Sequence, residues 1–518
     1  ISLTTAGSTY DFTNKGTATD ASSSIEKLSS VKGQYLFNTT TGSIVLDTDG
    51  NGLLQAGDFA VALTGVSALS DSDISFDITG TTSADTITTG AGKDSVSLGH
   101  VNSGVNTGKG DDTVSIGNLT MTGHATGIHG GAGTDTLAIT AATADLSAYA
   151  ADKLSGFETI TLTNNAGVVL SKAAANAFNT GVAPKVQGTA AGNYESLAVT
   201  LANTAGEVLD ISSVVFSDTA NAVLTGNGEA DVITAANGND YLAGAAGLDT
   251  LDGKAGNDTY AYDTTAEADK FVATSGSGTN TLLAAKDTNF STLKIGTTAV
   301  NAAAASATAG IGDLTNISQV VLTTNSANVG LASQFSGLTV AVNTTGAGTV
   351  NTLTLNGTSG TDTINLAGIV GTAGLKYTAA SGEEATGLAW SSNAADMLLV
   401  KGGVGLDTIT LPTYTAINST VIVDAGDSLT GGIDTITGFS VGDKLDFTNA
   451  KNKIHTSGGR LAFADADSIK SVVVTNGFAV AYDATDGGDA VDIDSGVLLA
   501  ELITDINAAA STKDVAKS

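Results

Sequence analysis

The chain of 518 residues contains no cysteine, two prolines, one tryptophan and four histidines. Without cysteine there is no disulfide staple, no thiolate metal site and no thiol nucleophile. Basic residues are scarce: Lys and Arg total 21 against 52 Asp and Glu, a formal charge of −31. That balance argues against nucleic acid and anionic membrane surfaces as partners. No apolar run approaches the roughly 20 residues that span a bilayer, so no membrane insertion is expected. The chain opens on Ile1 rather than methionine, which reads as a processed or cut N-terminus and leaves an upstream region open, so the lack of a visible signal peptide decides nothing.

Catalytic constellations are missing too. His100, His124, His129 and His455 form no H-E-x-x-H zinc motif, and no phosphate loop is present. A G-x-S-x-G elbow with plausible triad partners is also lacking. Glu383 and Glu384 read as solvated neighbours and Trp390 as core packing. The chain is therefore read as non-enzymatic.

Glycine, by contrast, is abundant, at 64 residues, amid Thr, Ala, Ser and Asn, with Val, Ile and Leu alternating with Thr. The alternation predicts strands. The segment TGNGEADVITAANGNDYLAGAAGLDTLDGKAGNDTYAYD places Asp231, Asp240, Asp249 and Asp258 nine residues apart. Gly238, Gly247, Gly253 and Gly256 sit in its turns. A unit of the form G-G-x-G-x-D-x-U-x, with U a large apolar residue, builds a parallel β-roll and binds Ca²⁺. Ile233, Leu242, Leu251 and Tyr260, two residues after each aspartate, should point into the core. If two units make one coil, Asp231 faces Asp249 and Asp240 faces Asp258. These opposed carboxylates repel until a cation lies between them.

Similar units recur. Asp85, Asp94 and Asp112 keep the nine-residue phase through one degraded unit, with turn residues Gly90, Gly92, Gly108 and Gly110. Asp135, with Gly131 and Gly133, stands out of that phase and is expected to open a separate small sheet or roll turn. Asp362 and the unit GGVGLDTITLP, with Gly403, Gly405 and Asp407, form a third group, followed by Asp434. Asp434, Asp443 and Asp446 read equally well as ion ligands or as solvated turn residues.

A different calcium loop precedes these. Asp47, Asp49, Asn51, the Leu53 carbonyl and Asp58 occupy positions one, three, five, seven and twelve of a D-x-D-x-N-G loop. The strand-like SIVL before it and the short last ligand make it a stand-alone loop rather than a helix-flanked one. Short helices are expected in DLSAYAADK and NAAAASATAG, and at Val497 to Ala510.

The fold expected is all-β, a multi-block parallel β-roll or β-solenoid with calcium-binding turns and minor helices. Blocks are placed at 1–75, 76–222, 223–355, 356–430 and 431–518, because Asp85, Asp231 and Asp362 open similar units 146 and 131 residues apart.

The 226–258 run and GTTSADTITTGAGKDSV resemble the RTX (repeats-in-toxin) family of bacterial proteins. GGIDTITGFSVGDKLDF is similar to the segment that follows the rolls in that family. GGAGTDTLAI paired with LSGFETITLT resembles the RTX-type surface-layer proteins. The resemblance implies type I secretion through a C-terminal signal and folding on several Ca²⁺ ions outside the cell. It also implies self-assembly into a layer on the cell surface. A cell-surface polysaccharide is a further candidate partner, through an anchoring region this sequence does not identify. Ala235, Ala236, Ala245 and Ala246 stand where the family has glycine, and Asn280 where it has aspartate. Two rival readings are an RTX adhesin binding a glycan or protein, and the calcium-binding part of a larger RTX exoenzyme.

Overall fold

A computed structural model describes most of residues 8–446, apart from short connections and the longer stretch 285–316. Beyond 446 it describes the strands Arg460–Ala462, Ser471–Thr475 and Phe478–Tyr482. Leu53, Trp390, His455 and the helices expected at NAAAASATAG and Val497 to Ala510 lie outside the described residues. The chain divides into two units, 1–242 with 252–256 and 378–384, and the remainder.

In the first unit, the alternating Thr-Val and Thr-Ile segments become parallel strands stacked one coil above another. One sheet runs through Asp77–Thr79, Ser95–Leu98, Thr113–Ile116, Thr136–Ile139, Thr159–Leu162, Lys185–Gly188 and Val215–Ser217. A second carries Thr9–Asp11, Thr86–Thr88, Gly104–Asn106, Ile128–His129 and Leu154–Ser155. The chain alternates between the two, so each pair of strands closes one coil. Side chains alternate inward and outward: Ile78, Val96, Val114 and Leu137 are at most 1% exposed, while their threonine and serine neighbours face out.

Coil length changes along the unit. Asp77, Ser95 and Thr113 pair at steps of 18 residues, then Thr136 and Thr159 follow at steps of 23. The wider coils accommodate a third set of parallel strands, Thr143–Leu146, Gly167–Leu170, Glu195–Thr200 and Ala220–Thr225. The start of the first roll is covered by aromatics. Phe12 packs on Phe76 with ring centroids 5.0 Å apart, and Tyr35 packs on Phe76 at 5.6 Å. These three aromatics sit where a parallel stack would otherwise expose its end.

The segment DLSAYAADK is not helical. Its first residues complete the strand Thr143–Leu146, in register with Gly167–Leu170, and Asp145 Oδ1 then accepts the Ser147 N–H and starts a turn. The helix instead spans Lys172–Asn179, where Ser171 caps it by accepting the Ala174 N–H at 3.2 Å. Its alanine-rich KAAANAFN is the better helix former.

The second unit repeats the scheme. Ala327–Leu331, Thr352–Asn356, Met397–Lys401, Ser419–Ile422 and Lys444–Asp446 pair in parallel. Thr363–Asn365, Thr408–Thr410 and Thr435–Thr437 form the opposite sheet. Thr259–Tyr262, Asn280–Ala284, Ile317–Leu322 and Thr339–Val342 form another parallel run. The antiparallel strands Phe478–Tyr482, Ser471–Thr475 and Arg460–Ala462 finish the first of these sheets. An all-β roll with parallel sheets is the architecture the strand periodicity predicts.

Candidate metal centres

The aspartates ahead of the strands are held in a repeating way. Asp94 Oδ1 accepts the backbone N–H of Phe76 at 2.7 Å, and Asp112 Oδ1 accepts that of Asp94 at 2.7 Å. Asp135 Oδ1 accepts that of Asp112 at 2.8 Å. Each carboxylate thus closes a hydrogen bond to the coil before it, and the four coils are linked down one edge. Asp135 opens no separate sheet: Thr136 pairs in register with Thr113, so Asp135 is the next rung. Its phase shift comes from the longer connection between Ile116 and Ile128, not from a new element.

Asp85 lies on the other edge. Its Oδ2 accepts the Thr81 N–H at 2.7 Å, and Ser103 stands above it, its hydroxyl oxygen 3.2 Å from the Asp85 N–H. In the central run, Asp231 accepts from Glu207 at 2.7 Å and Asp240 from Ala222 at 2.7 Å. The Asp249 N–H is received by Asp269 at 3.1 Å and the Asp258 N–H by Asn280 at 3.0 Å. Asn280 therefore keeps the acceptor role of the aspartate it replaces but adds no charge. In the third group, Asp362 donates its N–H to Asp407 at 2.8 Å, and Asp407 donates to Asp434 at 3.0 Å. Asp443 accepts from Ser419 at 2.7 Å. Asp446 lies in the strand Lys444–Asp446, where its backbone carbonyl accepts the Val423 N–H.

The charged half of these groups is costly. Asp85, Asp112, Asp135 and Asp407 are at most 1% exposed. In each, one carboxylate oxygen is buried and accepts no hydrogen bond. None of the four pairs with a Lys or Arg among the described residues. Burial pushes the Asp112 carboxyl up to about 6, with the neighbouring charges of Asp94 and Asp135 adding to it. Burial pushes Asp240 up to about 7. Asp135 is raised by burial and then by Glu158 and Asp111, and Asp407 by burial and then by Asp434 and Asp362.

Backbone carbonyls line the same turns. A Cβ on Gly110 would run into the Gly92 carbonyl oxygen, and one on Gly133 into that of Gly110. Both glycines also take positive φ, +125° and +151°. Gly108, Gly131, Gly238, Gly247, Gly256 and Gly403 share that left-handed backbone, whereas Gly90, Gly92, Gly253 and Gly405 do not. Ala245, at a position where glycine is usual, is forced to φ +66°. The donors are therefore all oxygen, part carboxylate and part carbonyl, with buried carboxylate oxygens left over. That set fits a hard cation such as Ca²⁺, and nothing in it suits a softer metal.

The loop of Asp47, Asp49 and Asp58 joins two antiparallel strands, Ser43–Leu46 and Phe59–Ala62, so strands flank it on both sides. One carboxylate oxygen from each aspartate lies within 4.8 Å of the others. The Asp47 carboxylate accepts the Gly50 N–H at 2.7 Å, and Asp58 accepts the Thr48 N–H at 3.0 Å. Asn51 donates to Asp49 at 2.7 Å. Among the described residues no histidine joins a cluster of three metal ligands: His129 bonds to Ser155 and to the Thr126 carbonyl, and His124 accepts from Thr126.

Glu158 and Asp269 escaped the sequence reading as rungs of these ladders. No nonapeptide spacing points to them, although LSGFETI repeats the acid–Thr–Ile order of the aspartate units.

Two segments, residues 77–99 and 225–260, match the family model of the RTX calcium-binding nonapeptide repeat, in four copies. No curated protein matches the chain. Among the described residues, no helix is long and apolar enough to cross a membrane. The chain therefore carries calcium-binding nonapeptide repeats of the RTX type within residues 77–99 and 225–260.

Proposed function

We propose that the protein is a calcium-dependent structural protein that folds after secretion and self-assembles into a layer on the outer face of the cell, without catalytic activity. One observation carries this reading. Asp85, Asp112, Asp135 and Asp407 bury carboxylate oxygens with neither a hydrogen bond nor an ion pair. A domain cannot hold many such groups without a compensating charge. When bound, Ca²⁺ supplies that charge.

Where free calcium is scarce, inside the producing cell, repulsion along the ladder and the entropy of 64 glycines oppose folding. Outside, millimolar calcium matches modules whose dissociation constants are about 10⁻⁴–10⁻³ M. The ligands then order the turns, and the parallel strands stack. A rigid, acidic, cysteine-free repeat suits a building unit better than it suits a catalyst, and shared cations between copies would join units whose surfaces otherwise repel. Electron microscopy of the purified protein in millimolar Ca²⁺, before and after EGTA, tests the assembly. Ordered arrays that dissolve on chelation are expected. Particles that stay single in calcium, or arrays indifferent to EGTA, would overturn it.

A further inference from the structure

The family model matches the first roll only as far as residue 99, yet its carboxylate edge continues. Beyond Asp112 and Asp135 the next group in line is Glu158. Its Oε2 accepts the Asp135 N–H at 2.8 Å, the bond that Asp135 makes to Asp112 and Asp112 to Asp94. The turn that carries it is shorter. His129 pairs with Ser155 and Thr136 with Thr159, leaving residues 130–135 in one turn and only 156–158 in the next.

Independent of that bond, Asp135 is wholly buried and its Oδ2 has no hydrogen-bond partner. Other oxygens crowd the same place. A Cβ on Gly130 would meet both the Gly156 carbonyl oxygen and the Asp135 side chain. Asp111 Oδ1, one coil below, accepts the Thr134 N–H at 2.9 Å and brings another carboxylate to this edge. Neither Asp111, Asp135 nor Glu158 forms an ion pair with Lys or Arg among the described residues.

We propose that Asp135 and Glu158 form a divalent-cation site of their own between turns 130–135 and 156–158, outside the segments that the repeat family model matches, taking a hard cation of calcium's size. It rests on the calcium reading given above but not on assembly into a layer.

Glu158→Gln keeps an oxygen for the Asp135 N–H and removes the charge. Native mass spectrometry of the full chain in saturating Ca²⁺ counts the ions. The expected result is one ion fewer in E158Q than in the wild type, with the same circular dichroism. An equal count overturns this site alone, whereas no calcium uptake by the wild type overturns the functional reading with it. If E158Q does not fold in millimolar calcium, E158D decides: it should fold and fill the site at higher calcium, and an E158D as unfolded as E158Q overturns the proposal.

Discussion

Asp135 accepts the backbone N–H of Asp112 at 2.8 Å across 23 residues of sequence, and its second oxygen is buried without a partner. One carboxylate therefore does two jobs, and substitutions separate them. Asp135→Asn keeps an acceptor for the N–H but loses the charge. Asp135→Ala loses both and leaves a buried N–H unsatisfied, at about 1–3 kcal/mol. In EGTA the Asn variant should keep more β signal than the wild type, and in calcium it should unfold at lower urea. Circular dichroism in EGTA and urea titration in calcium check this reversal of order, and the same order in both buffers would contradict it.

The acidity of the ladder sets a pH dependence. Asp112 titrates near 6 and Asp240 near 7 in the folded chain, both above the ordinary carboxylate value of 3.8. The cation-free fold binds more protons than the unfolded chain in that window. Its stability is thus greatest below about pH 4 and falls as pH rises through 6 to 7. In EGTA the circular-dichroism β signal should fall from pH 4 to pH 8. In millimolar calcium, acid instead displaces the ion, and that fall should disappear or reverse.

The turn backbone can be probed without removing a carboxylate. Gly110→Ala puts a Cβ against the Gly92 carbonyl at φ +125°, whereas Gly117 has nothing within 4 Å of the added atom. G110A should cost well over ~1 kcal/mol, and G117A should stay within about 0.5 kcal/mol. Ala245 already bears the strain at φ +66°, so Ala245→Gly should raise stability by up to ~1 kcal/mol. Thermal melts in calcium report all three.

Core packing between the sheets supplies the rest of the stability. Leu137 is 1% exposed and fills the space between rungs. Leu137→Ala should cost about 2–5 kcal/mol in calcium and leave the number of bound ions unchanged. A loss of ions from this variant would show that packing and binding cannot be separated here.

The sequence made the repeating strands and the first rungs readable because equal 18-residue coils put like residues in like places. Asp94 and Asp112 illustrate it, one coil apart and bonded. Asp135 hid its place because a longer connection broke the phase while the strand register survived. Glu158 was hidden twice over, by a shorter turn and by a different residue type. The helix was misplaced because Asp145 and Leu146 carry local helix signals that strand pairing with Val169 and Leu170 overrides. The gathering of Asp47, Asp49 and Asp58 was legible because their order is local and needs no register from the rest of the chain.

The whole account turns on cations replacing the missing partners of buried carboxylates. Far-ultraviolet circular dichroism of the full chain, after exhaustive EGTA dialysis and again on adding Ca²⁺ back, tests this most directly. A large loss of β signal that returns over a calcium range of about 10⁻⁴–10⁻³ M is the predicted result. An undiminished β spectrum with an unchanged melting temperature in EGTA would contradict it.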